Sequence, residues 1–381
     1  MENKGKLRVL EVNKAYFPHI GGIESLVKQY AEGLFERAEV KVLVCRDDKG
    51  KSRSQFVNGI KVYRSASFGT YFSCPLSVDF IRKFRWLSKQ SDCVHINVPF
   101  PLADLACLLS GYKGRVVVSW HSDIVKQKKL LFFYKPLMMR FLKRADVITV
   151  ATQNHIDSSP YISKYREKCR ILPYGIDAAD YLESEAMPIL SKKLVDKTAI
   201  KVFFTGRLVY YKGVDVLIRA FEKVSGCELF IAGTGILENE LKNTAQECKV
   251  SEKVHFMGFM PEKELKAAFR ECDIFVLPSV ASSEAFGIVQ LEAMVYSKPV
   301  INTSLPTGVP MVSIDGETGI TVKPSDADEL ANAIMCLAKS PQLREKYGKA
   351  GYERVIKEFN NTNVIETLYG ILDERKGEEK Q

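Results

Sequence analysis

Strand-like and helix-like segments alternate twice along this chain of 381 residues, and this pattern restricts the fold more than any other feature. Apolar runs such as "RVLEV" and "KVLVC" alternate with amphipathic segments such as "GIESLVKQYAEGLFER", and the alternation begins again at "AIKVFFTGR", near residue 200. Strands that alternate with helices form right-handed βαβ units and parallel sheets. The sequence therefore predicts an α/β protein with two Rossmann-like domains.

The two alternating series meet within residues 172–192, where Pro, Gly and acidic residues interrupt the pattern. We expect an N-terminal domain at 1–178 and a C-terminal domain at 179–357. A helix is expected at about 342–359, and a C-terminal helix, 358–381, is expected to rejoin the N-terminal domain.

Composition and cysteine usage indicate a cytoplasmic protein. No apolar run reaches the roughly 18 residues that a membrane span needs, and the N-terminus enters a strand pattern without a signal-peptide core. The nine cysteines are scattered and form no C-x-x-C pair, which favours buried thiols over disulfides or a zinc site.

Positive charge is concentrated in the first half of the chain. Residues 1–177 hold 30 basic and 16 acidic side chains, whereas residues 178–381 hold 25 and 30. Segment 126–144 has seven cations and no acid among apolar and aromatic residues, and the stretch "FIRKFRWLSK" at 80–89 adds to the excess. Segment 126–144 is typical of a helix on an anionic membrane surface. It could also be a core helix with solvated flanks.

Two motifs of the first half follow predicted strands, and open α/β sheets bind ligands where their strands end. Gly21–Gly22, in "FPHIGGIES", would let a ligand approach the backbone, and the helix that follows offers amides to an anion. A tight turn is the alternative. His121, in "SWHSD", is expected to point into a cleft between the domains, although a lone histidine is often structural.

The loop "TGRLVYYKG" follows the first strand of the second half. Arg207 and Lys212 could both reach one pyrophosphate there, because arginine offers a planar fork and lysine a point charge. The alternative is two solvated cations.

Two carboxylates, Glu284 and Glu292, lie in the otherwise apolar stretch "SSEAFGIVQLEAM". On one helix they would point roughly 80° apart, so we place Glu284 on a loop and Glu292 in a helix that begins near Gly287. The amides of 287–289 would then form an anion site, and Glu292 could accept hydrogen bonds from vicinal hydroxyls. A sugar, a phosphate and a ribose would meet these groups in that order.

At these four motifs the sequence resembles glycosyltransferase family 4. The matching patterns are E-x-F-G-x-x-x-x-E at 284–292, G-R-L-x-x-x-K-G at 206–213, the early Gly-Gly loop and His121. The resemblance implies a GT-B fold, in which two Rossmann-like domains with parallel sheets face each other across a deep cleft. It also implies transfer with retention of anomeric configuration and an α-linked product.

The resemblance also implies roles for individual residues. Glu284 would bind the donor sugar, Arg207 and Lys212 the diphosphate, and Glu292 the ribose, while His121 would line the sugar pocket. We assign as catalytic His121, Arg207, Lys212 and Glu284. The expected donor-binding set is Gly21, Gly22, Arg207, Lys212, Ala285, Phe286, Gly287, Ile288, Val289 and Glu292. Phe259 and Met260 are expected to border the base.

No cofactor and no metal are expected, because arginine and lysine can stabilise the leaving diphosphate instead. The D-x-D of "DADEL", residues 326–330, precedes a helix, and we interpret it as a helix cap.

The stretch 302–310, with the donor motif, resembles bacterial mannosyltransferases of cell-surface polysaccharide synthesis. GDP-mannose is therefore the expected donor, with UDP-hexoses and UDP-N-acetylhexosamines as alternatives. The expected acceptor is a lipid-linked or polysaccharide glycan, and the expected location is the inner face of the cell membrane. No nucleic-acid partner is expected. The alternatives from other classes are an epimerase or phosphorylase of the same fold and an inert basic nucleotide- or nucleic-acid-binding protein.

Overall fold

The computed structural model describes residues 5–19, 21–46, 48–71, 74–123, 128–183 and 187–374, with only the backbone at 128–131. The chain divides into two compact units, unit 1 (1–174 and 362–381) and unit 2 (175–361).

The borders of the units differ by a few residues from the expected 178/179 and 357/358. The backbone explains the difference, because Ile176 N donates to Phe359 O at 2.8 Å and Asn361 N donates to Ile176 O at 3.1 Å. The segment that enters unit 2 and the segment that leaves it are thus hydrogen-bonded to each other within that unit.

Unit 1 contains an eight-stranded sheet in the order β10-β9-β8-β7-β1-β2-β4-β3 and a small hairpin, β5–β6. Only β3 of the described strands of the large sheet is antiparallel to its neighbour. The strands are β1 Leu7–Val12, β2 Ala38–Cys45, β3 Arg53–Val57, β4 Ile60–Ser65, β5 Thr70–Tyr71, β6 Cys74–Pro75, β7 Cys93–Val98, β8 Arg115–Trp120, β9 Val147–Val150 and β10 Cys169–Ile171. Its first helices are α1 Gly22–Phe35, α2 Val78–Ser88, α3 Pro101–Ser110, α4 Lys128–Arg144 and α5 Gln153–Ser158, and a 3-10 turn spans Ile162–Lys168.

Unit 2 contains a six-stranded parallel sheet in the order β13-β12-β11-β14-β15-β16. The strands are β11 Ile200–Thr205, β12 Cys227–Ala232, β13 Val254–Gly258, β14 Ile274–Val276, β15 Val300–Thr303 and β16 Gly319–Val322. The helices are α6 Ala178–Leu182, α7 Val214–Ala220, α8 Glu238–Glu247, α9 Glu262–Glu271, α10 Val289–Val295, α11 Val309–Val312, α12 Ala327–Lys339 and α13 Pro341–Glu358, with 3-10 turns at Tyr210–Lys212 and Ser251–Lys253.

Both sheets are doubly wound around a central pair of strands. In unit 2 the chain builds outward from β11 through β12 to β13, and then crosses to β14 and continues to β16. The loops after β11 and β14 therefore leave the sheet in opposite directions, which opens a crevice at this switch point. In unit 1 the corresponding pair is β1 and β7.

The end of the chain forms two helices, one near the expected 342–359 and one within the expected 358–381. Helix α13 ends at Glu358 in unit 2, and a further helix, α14 Asn361–Asp373, lies in unit 1 apart from its first residue. Helix α14 packs closely on α1, because a Cβ at Gly33 would lie 2.6 Å from Cγ1 of Ile365. Helix α14 therefore makes the predicted return.

Among the helices that the structure describes, none is both long and apolar enough to span a membrane.

Candidate active site

The crevice of unit 2 is formed by the loop after β11 and the segment after β14. Val280 N donates to Tyr211 O at 2.8 Å, and the hydroxyls of Tyr210 and Ser283 are 3.2 Å apart. Gly213 has φ 64°, and a Cβ there would lie 2.1 Å from the carbonyl oxygen of Pro278. Glycine at this position lets the two loops touch. It adopts a positive φ without strain, and it has no Cβ to collide with Pro278.

Lys212 and Glu284 form an ion pair at the centre of this crevice. The ammonium Nζ of Lys212 is 2.5 Å from Oε2 of Glu284, and both side chains are buried. Ser279 Oγ donates to the same Oε2 at 3.0 Å. The structure thus brings together two residues that the sequence predicts as catalytic.

Arg207 lies next to this pair through a shared aromatic ring. Arg207 Nη2 donates to the hydroxyl of Tyr211 at 3.1 Å, and Lys212 Nζ lies 5.6 Å from the centre of the Tyr211 ring. Arg207 is exposed, whereas Lys212 is buried. Two cations of different accessibility therefore lie on one short loop, and their joint binding of a diphosphate stays a prediction.

The segment after Glu284 is held by a buried amide network. Gln290 Nε2 donates to Phe286 O at 3.1 Å, and Asn302 Nδ2 donates to Gln290 Oε1 at 2.8 Å. The Phe286 ring is itself buried against Phe359, at 6.0 Å between ring centres. The carbonyl of Ala285 also accepts from Gly308 N at 2.7 Å. Both carbonyls are thus engaged within unit 2, and contact of this segment with a donor stays a prediction.

The helix expected near Gly287 begins two residues later, at Val289, and has seven residues. Gly287 has φ 74°, a left-handed conformation that breaks the helical path, and a Cβ there would lie 2.4 Å from Leu277. Because α10 is short, its dipole is weaker than the sequence suggests. The amides of Ile288 and Val289 remain at its first turn.

Glu292 lies in the first turn of α10 and is partly buried. Burial raises the pKa of its carboxyl group to about 7, against the opposing effects of a hydrogen bond from Tyr181 and the charge of Lys266. The Tyr181 hydroxyl donates to Oε1 at 3.2 Å. Lys266 is fixed by Asp180 at 2.7 Å and lies 4.9 Å from the centre of the Tyr181 ring. Glu292 therefore titrates near neutral pH.

Two further glycines, both on the loop after β12, border the loop after β11 and were not singled out from the sequence. A Cβ at Gly233 would lie 2.0 Å from Gly206 O, and one at Gly235 would lie 2.3 Å from Leu208 O. The signal for this contact is the "GTG" that follows β12. Gly233 N donates to Gly258 O at 2.7 Å, so the loop after β12 is in turn bonded to the end of β13.

The two residues expected to border the base follow β13, the edge strand on this side. Phe259 is 77% exposed, whereas the side chain of Met260 is buried. Phe259 is thus the member of the pair that offers a free aromatic surface.

In unit 1, Gly21 and Gly22 lie where the chain passes from β1 to α1. Gly21 has extended backbone and precedes α1, and Gly22 is the first residue of this 14-residue helix. A Cβ at Gly22 would meet no described atom within 4 Å, so the space beside it is open. A Cβ at Gly21, by contrast, would lie 2.2 Å from Oε2 of Glu24, so a carboxylate fills the space beside Gly21. Approach of a ligand to this backbone stays a prediction.

His121, at the end of β8, is 3% exposed and has a partner at each ring nitrogen. Nδ1 is 2.8 Å from the Tyr174 hydroxyl, and Nε2 is 2.9 Å from Asn97 Oδ1. The Asn97 amide nitrogen donates to Glu11 Oε1 at 2.6 Å, so Oδ1 accepts from the histidine. Burial lowers the pKa of His121 to about 3, with smaller contributions from His95 and His155.

The neutral His121 ring belongs to a polar network that the sequence analysis missed. Glu11 Oε2 also contacts His95 Nδ1 at 2.8 Å, and His95 Nε2 contacts Ser119 Oγ at 2.7 Å. The available signal was polar residues two apart in apolar strands, "HIN" and "SWH", because such residues share one face. Both ring nitrogens of His121 are engaged within unit 1, so its role at a sugar stays a prediction.

Among the described residues, no group of three or more His, Cys, Asp or Glu side chains could hold a metal ion. The D-x-D motif has the predicted structural role, because the side chain of Asp326 caps α12 by accepting from Glu329 N at 2.9 Å. Asp328 pairs with Lys223 at 2.6 Å.

Comparison with known proteins agrees with this geometry. The family model described as Glycosyltransferase Family 4 matches residues 20–180, and that described as Glycosyl transferases group 1 matches residues 188–354. The chain is 31% identical to O-antigen chain mannosyltransferase C of Escherichia coli over 97% of this chain and all of that protein. It is 33% identical to D-rhamnosyltransferase WbpZ of Pseudomonas aeruginosa over 90% of each chain.

Solved structures share the fold at low identity. Anabaena HepE in complex with UDP aligns with a TM-score of 0.79 and 18% identity, over 96% of this chain and 99% of that one. Sucrose-phosphate synthase from Thermosynechococcus elongatus aligns with a TM-score of 0.75 and 19% identity, over 96% and 98%. The expected GT-B fold class is thereby confirmed, and the chain belongs to glycosyltransferase family 4.

Proposed function

We propose that this glycosyltransferase moves a mannose from GDP-mannose to a lipid-linked or polysaccharide glycan, with retention and an α-linkage. Its similarity to a mannosyltransferase named for the O-antigen chain, over the full length of that protein, supports the choice of sugar. Similarity to a D-rhamnosyltransferase keeps a deoxyhexose as the alternative sugar. UDP-hexoses and UDP-N-acetylhexosamines remain the alternative donors.

The observation that carries the proposal is the buried Lys212–Glu284 pair. In the structure each charge neutralises the other, and Ser279 completes the coordination of the carboxylate. We propose that the bound donor separates the two side chains. The diphosphate takes the ammonium of Lys212, and the sugar hydroxyls donate to Glu284. An ion pair held at low accessibility is suited to this exchange, because each charge regains a partner when the ligand enters.

The leaving diphosphate would be stabilised by Lys212, by Arg207 and by the amides of Ile288 and Val289. Such stabilisation is usually the largest contribution to a group transfer of this kind. In the proposed reaction the bond from the anomeric carbon to the phosphate oxygen breaks and a bond to the acceptor oxygen forms on the same face. The acceptor proton passes to the leaving phosphate. No metal is required, because the two cations supply the positive charge.

The remaining assignments follow the donor outward from the phosphate. Glu292 would accept hydrogen bonds from the ribose hydroxyls, and Phe259 with Met260 would border the base. From unit 1, the backbone at Gly21–Gly22 would approach the diphosphate. His121 would meet the sugar as a neutral ring, because its pKa is far below physiological pH.

We further propose that the enzyme works at the cytoplasmic face of the membrane through α4. Phe132 and Phe133 on this helix are 76% and 79% exposed, and their rings contact each other edge to face at 5.5 Å between centres. Seven cations lie in segment 126–144. Exposed aromatic rings beside cations favour an anionic interface, where both groups are stabilised.

The test is release of the nucleoside diphosphate from GDP-mannose, UDP-glucose and UDP-N-acetylglucosamine, each with EDTA and with a prenyl-diphosphate saccharide as acceptor. We expect acceptor-dependent release from GDP-mannose alone, unaffected by EDTA and lost in Glu284→Gln. Equal release of nucleoside diphosphate from a UDP-sugar would overturn the choice of GDP-mannose as the donor. Loss of release in EDTA would overturn the metal-independent mechanism. No acceptor-dependent release from any donor would refute the proposed transfer.

A further inference from the structure

A groove in unit 1, far along the sheet from the strands β1 and β7, contains an exposed tryptophan among basic and hydroxyl side chains. It lies between α2 and the edge strands β3 and β4, has a volume of about 530 Å³, and is lined by Trp86, Tyr63, Arg53, Arg82, Lys83 and serines 52 and 54. This volume falls within the range of about 300–1,000 Å³ that small-molecule sites occupy.

The aromatic wall of the groove consists of two rings in contact with each other. Trp86 is 52% exposed, although it lies on a helix whose opposite face is buried in the core. Its ring meets the buried Tyr63 ring edge to face, at 5.8 Å and 81°. An indole ring held this way presents a large apolar face to a ligand at low entropic cost.

The polar floor of the groove is fixed by Asp79. Lys83 Nζ is 2.8 Å from both carboxylate oxygens of Asp79, and Ser52 Oγ donates to Oδ2 at 2.6 Å. Arg53 and Arg82 are exposed at the rim, and within the described part of the chain neither forms an ion pair. The rim therefore offers hydrogen-bond donors that are not already committed to a carboxylate.

We infer that this groove, which we call the Trp86 groove, is a second binding site for the saccharide chain of the acceptor. A pyranose ring has an apolar face of C–H groups, which stacks on an indole, and a rim of hydroxyl oxygens, which accept from guanidinium groups. The Trp86 groove matches both surfaces. The inference rests on the proposed transfer to a glycan, and places part of that glycan away from the reacting sugar.

An anionic lipid surface is the competing occupant, because tryptophan and arginine also anchor proteins at interfaces. The lining of the groove favours the saccharide. Serines 52 and 54 line it together with the two aromatic rings, and the ammonium of Lys83 is already paired with Asp79. Neutral hydroxyl groups beside an indole ring suit the hydroxyls of a saccharide better than an anionic lipid headgroup.

The chain offers a direct probe, since Trp86 and Trp120 are its only tryptophans and Trp120 is buried. Titration of the intact protein with α-linked mannose, glucose and rhamnose oligosaccharides is expected to change the fluorescence of Trp86. Because Trp86→Ala lacks this fluorescent side chain, isothermal titration calorimetry measures binding by the variants. Trp86→Ala and Arg82→Ala are expected to weaken binding by about tenfold or more, as loss of a central contact does. Phe68→Ala, which removes an exposed ring outside the groove, is the matched control and should bind as the wild type does.

Two results would overturn the inference: no oligosaccharide of the three sugars binds, or binding survives in Trp86→Ala. A response of Trp86 to phosphatidylglycerol vesicles without a response to oligosaccharides would also overturn it and identify a membrane contact. Turnover keeps this test separate from the proposed function. If the wild type and Trp86→Ala transfer sugar equally well, only the inference about the groove is contradicted. If the wild type transfers no sugar, the proposed function is contradicted, whatever Trp86 binds.

Discussion

The ammonium of Lys212 lies 2.5 Å from the carboxylate of Glu284, and Ser279 donates to the same oxygen. The two residues come from the loops after β11 and β14, on either side of the switch point of the sheet. They neutralise each other in the crevice of unit 2. Removal of either side chain is therefore expected to lower stability as well as transfer, because it leaves the other charge buried.

Glu284→Gln is expected to abolish transfer and also to lower the free energy of unfolding by about 3 kcal/mol, because Lys212 loses its counter-charge. The double variant Lys212→Met, Glu284→Gln should recover most of that stability but no activity. Denaturant unfolding of the four proteins in the cycle measures the coupling. Additive effects on stability would show that the two side chains do not interact.

The spacing of the motifs alone does not predict that Lys212 and Ser279 contact the carboxylate of Glu284. The sequence indicates that Lys212 and Glu284 both lie at the carboxyl edge of the sheet, since each follows an apolar strand. It contains no local signal for which of the two cations, Arg207 or Lys212, pairs with the carboxylate. Tertiary packing decides this, through the contact of Gly213 with Pro278.

Glu292 is expected to give the donor affinity a pH dependence near neutrality. Its raised pKa, about 7, means that the carboxyl group gains a proton as the pH falls through 7 and then accepts fewer hydrogen bonds from a ribose. The KM for the donor should therefore rise below about pH 7. This rise should be absent in Glu292→Gln, whose KM should be high at every pH. A rise that persists in the variant would assign the titration to another group.

The partner of Glu292 shows why site details exceed what a motif predicts. Tyr181 donates to this carboxylate across 111 positions of sequence. It lies on the five-residue helix α6, within the stretch where the sequence indicates only a domain border. The sequence predicted both sheets, because each buried strand of a parallel sheet is an apolar run that can be recognised locally. Contacts between distant loops have no such periodic signal.

Asp104, on α3, is expected to make the protein less stable as the pH rises from about 4 to 7. Burial raises the pKa of its carboxyl group to about 7, although the hydroxyl of Tyr134 on α4 donates to it. The folded state thus keeps a proton that the unfolded chain loses near pH 4, so a rising pH favours unfolding. The slope is about 1.4 kcal/mol per pH unit within this window and vanishes above pH 7.

Thermal unfolding of wild type and Asp104→Asn between about pH 5 and 8 measures this effect. Asparagine keeps an acceptor for Tyr134 but has no titration, so the variant should lose less stability as the pH rises. Glu292 contributes equally to both proteins and cancels in the comparison. Parallel curves would show that Asp104 is ionised in the folded protein.

Phe132→Ser with Phe133→Ser is expected to release the protein from anionic vesicles. Both rings are exposed in the structure, so their removal should leave the melting temperature unchanged. Co-sedimentation with phosphatidylglycerol vesicles at low salt measures binding, which should also fall for the wild type as salt screens the cations. Leu109→Ser, at another exposed apolar position of unit 1, is the control. Retention of the double variant would locate membrane contact elsewhere.

A structure of the protein crystallised with GDP-mannose in the presence of EDTA tests the central claim most directly. The account predicts diphosphate oxygens within hydrogen-bond distance of Lys212 Nζ and of the amides of Ile288 and Val289, with the sugar hydroxyls at Glu284. A diphosphate bound elsewhere in unit 2, or a Lys212–Glu284 pair that stays closed beside the bound donor, would contradict it.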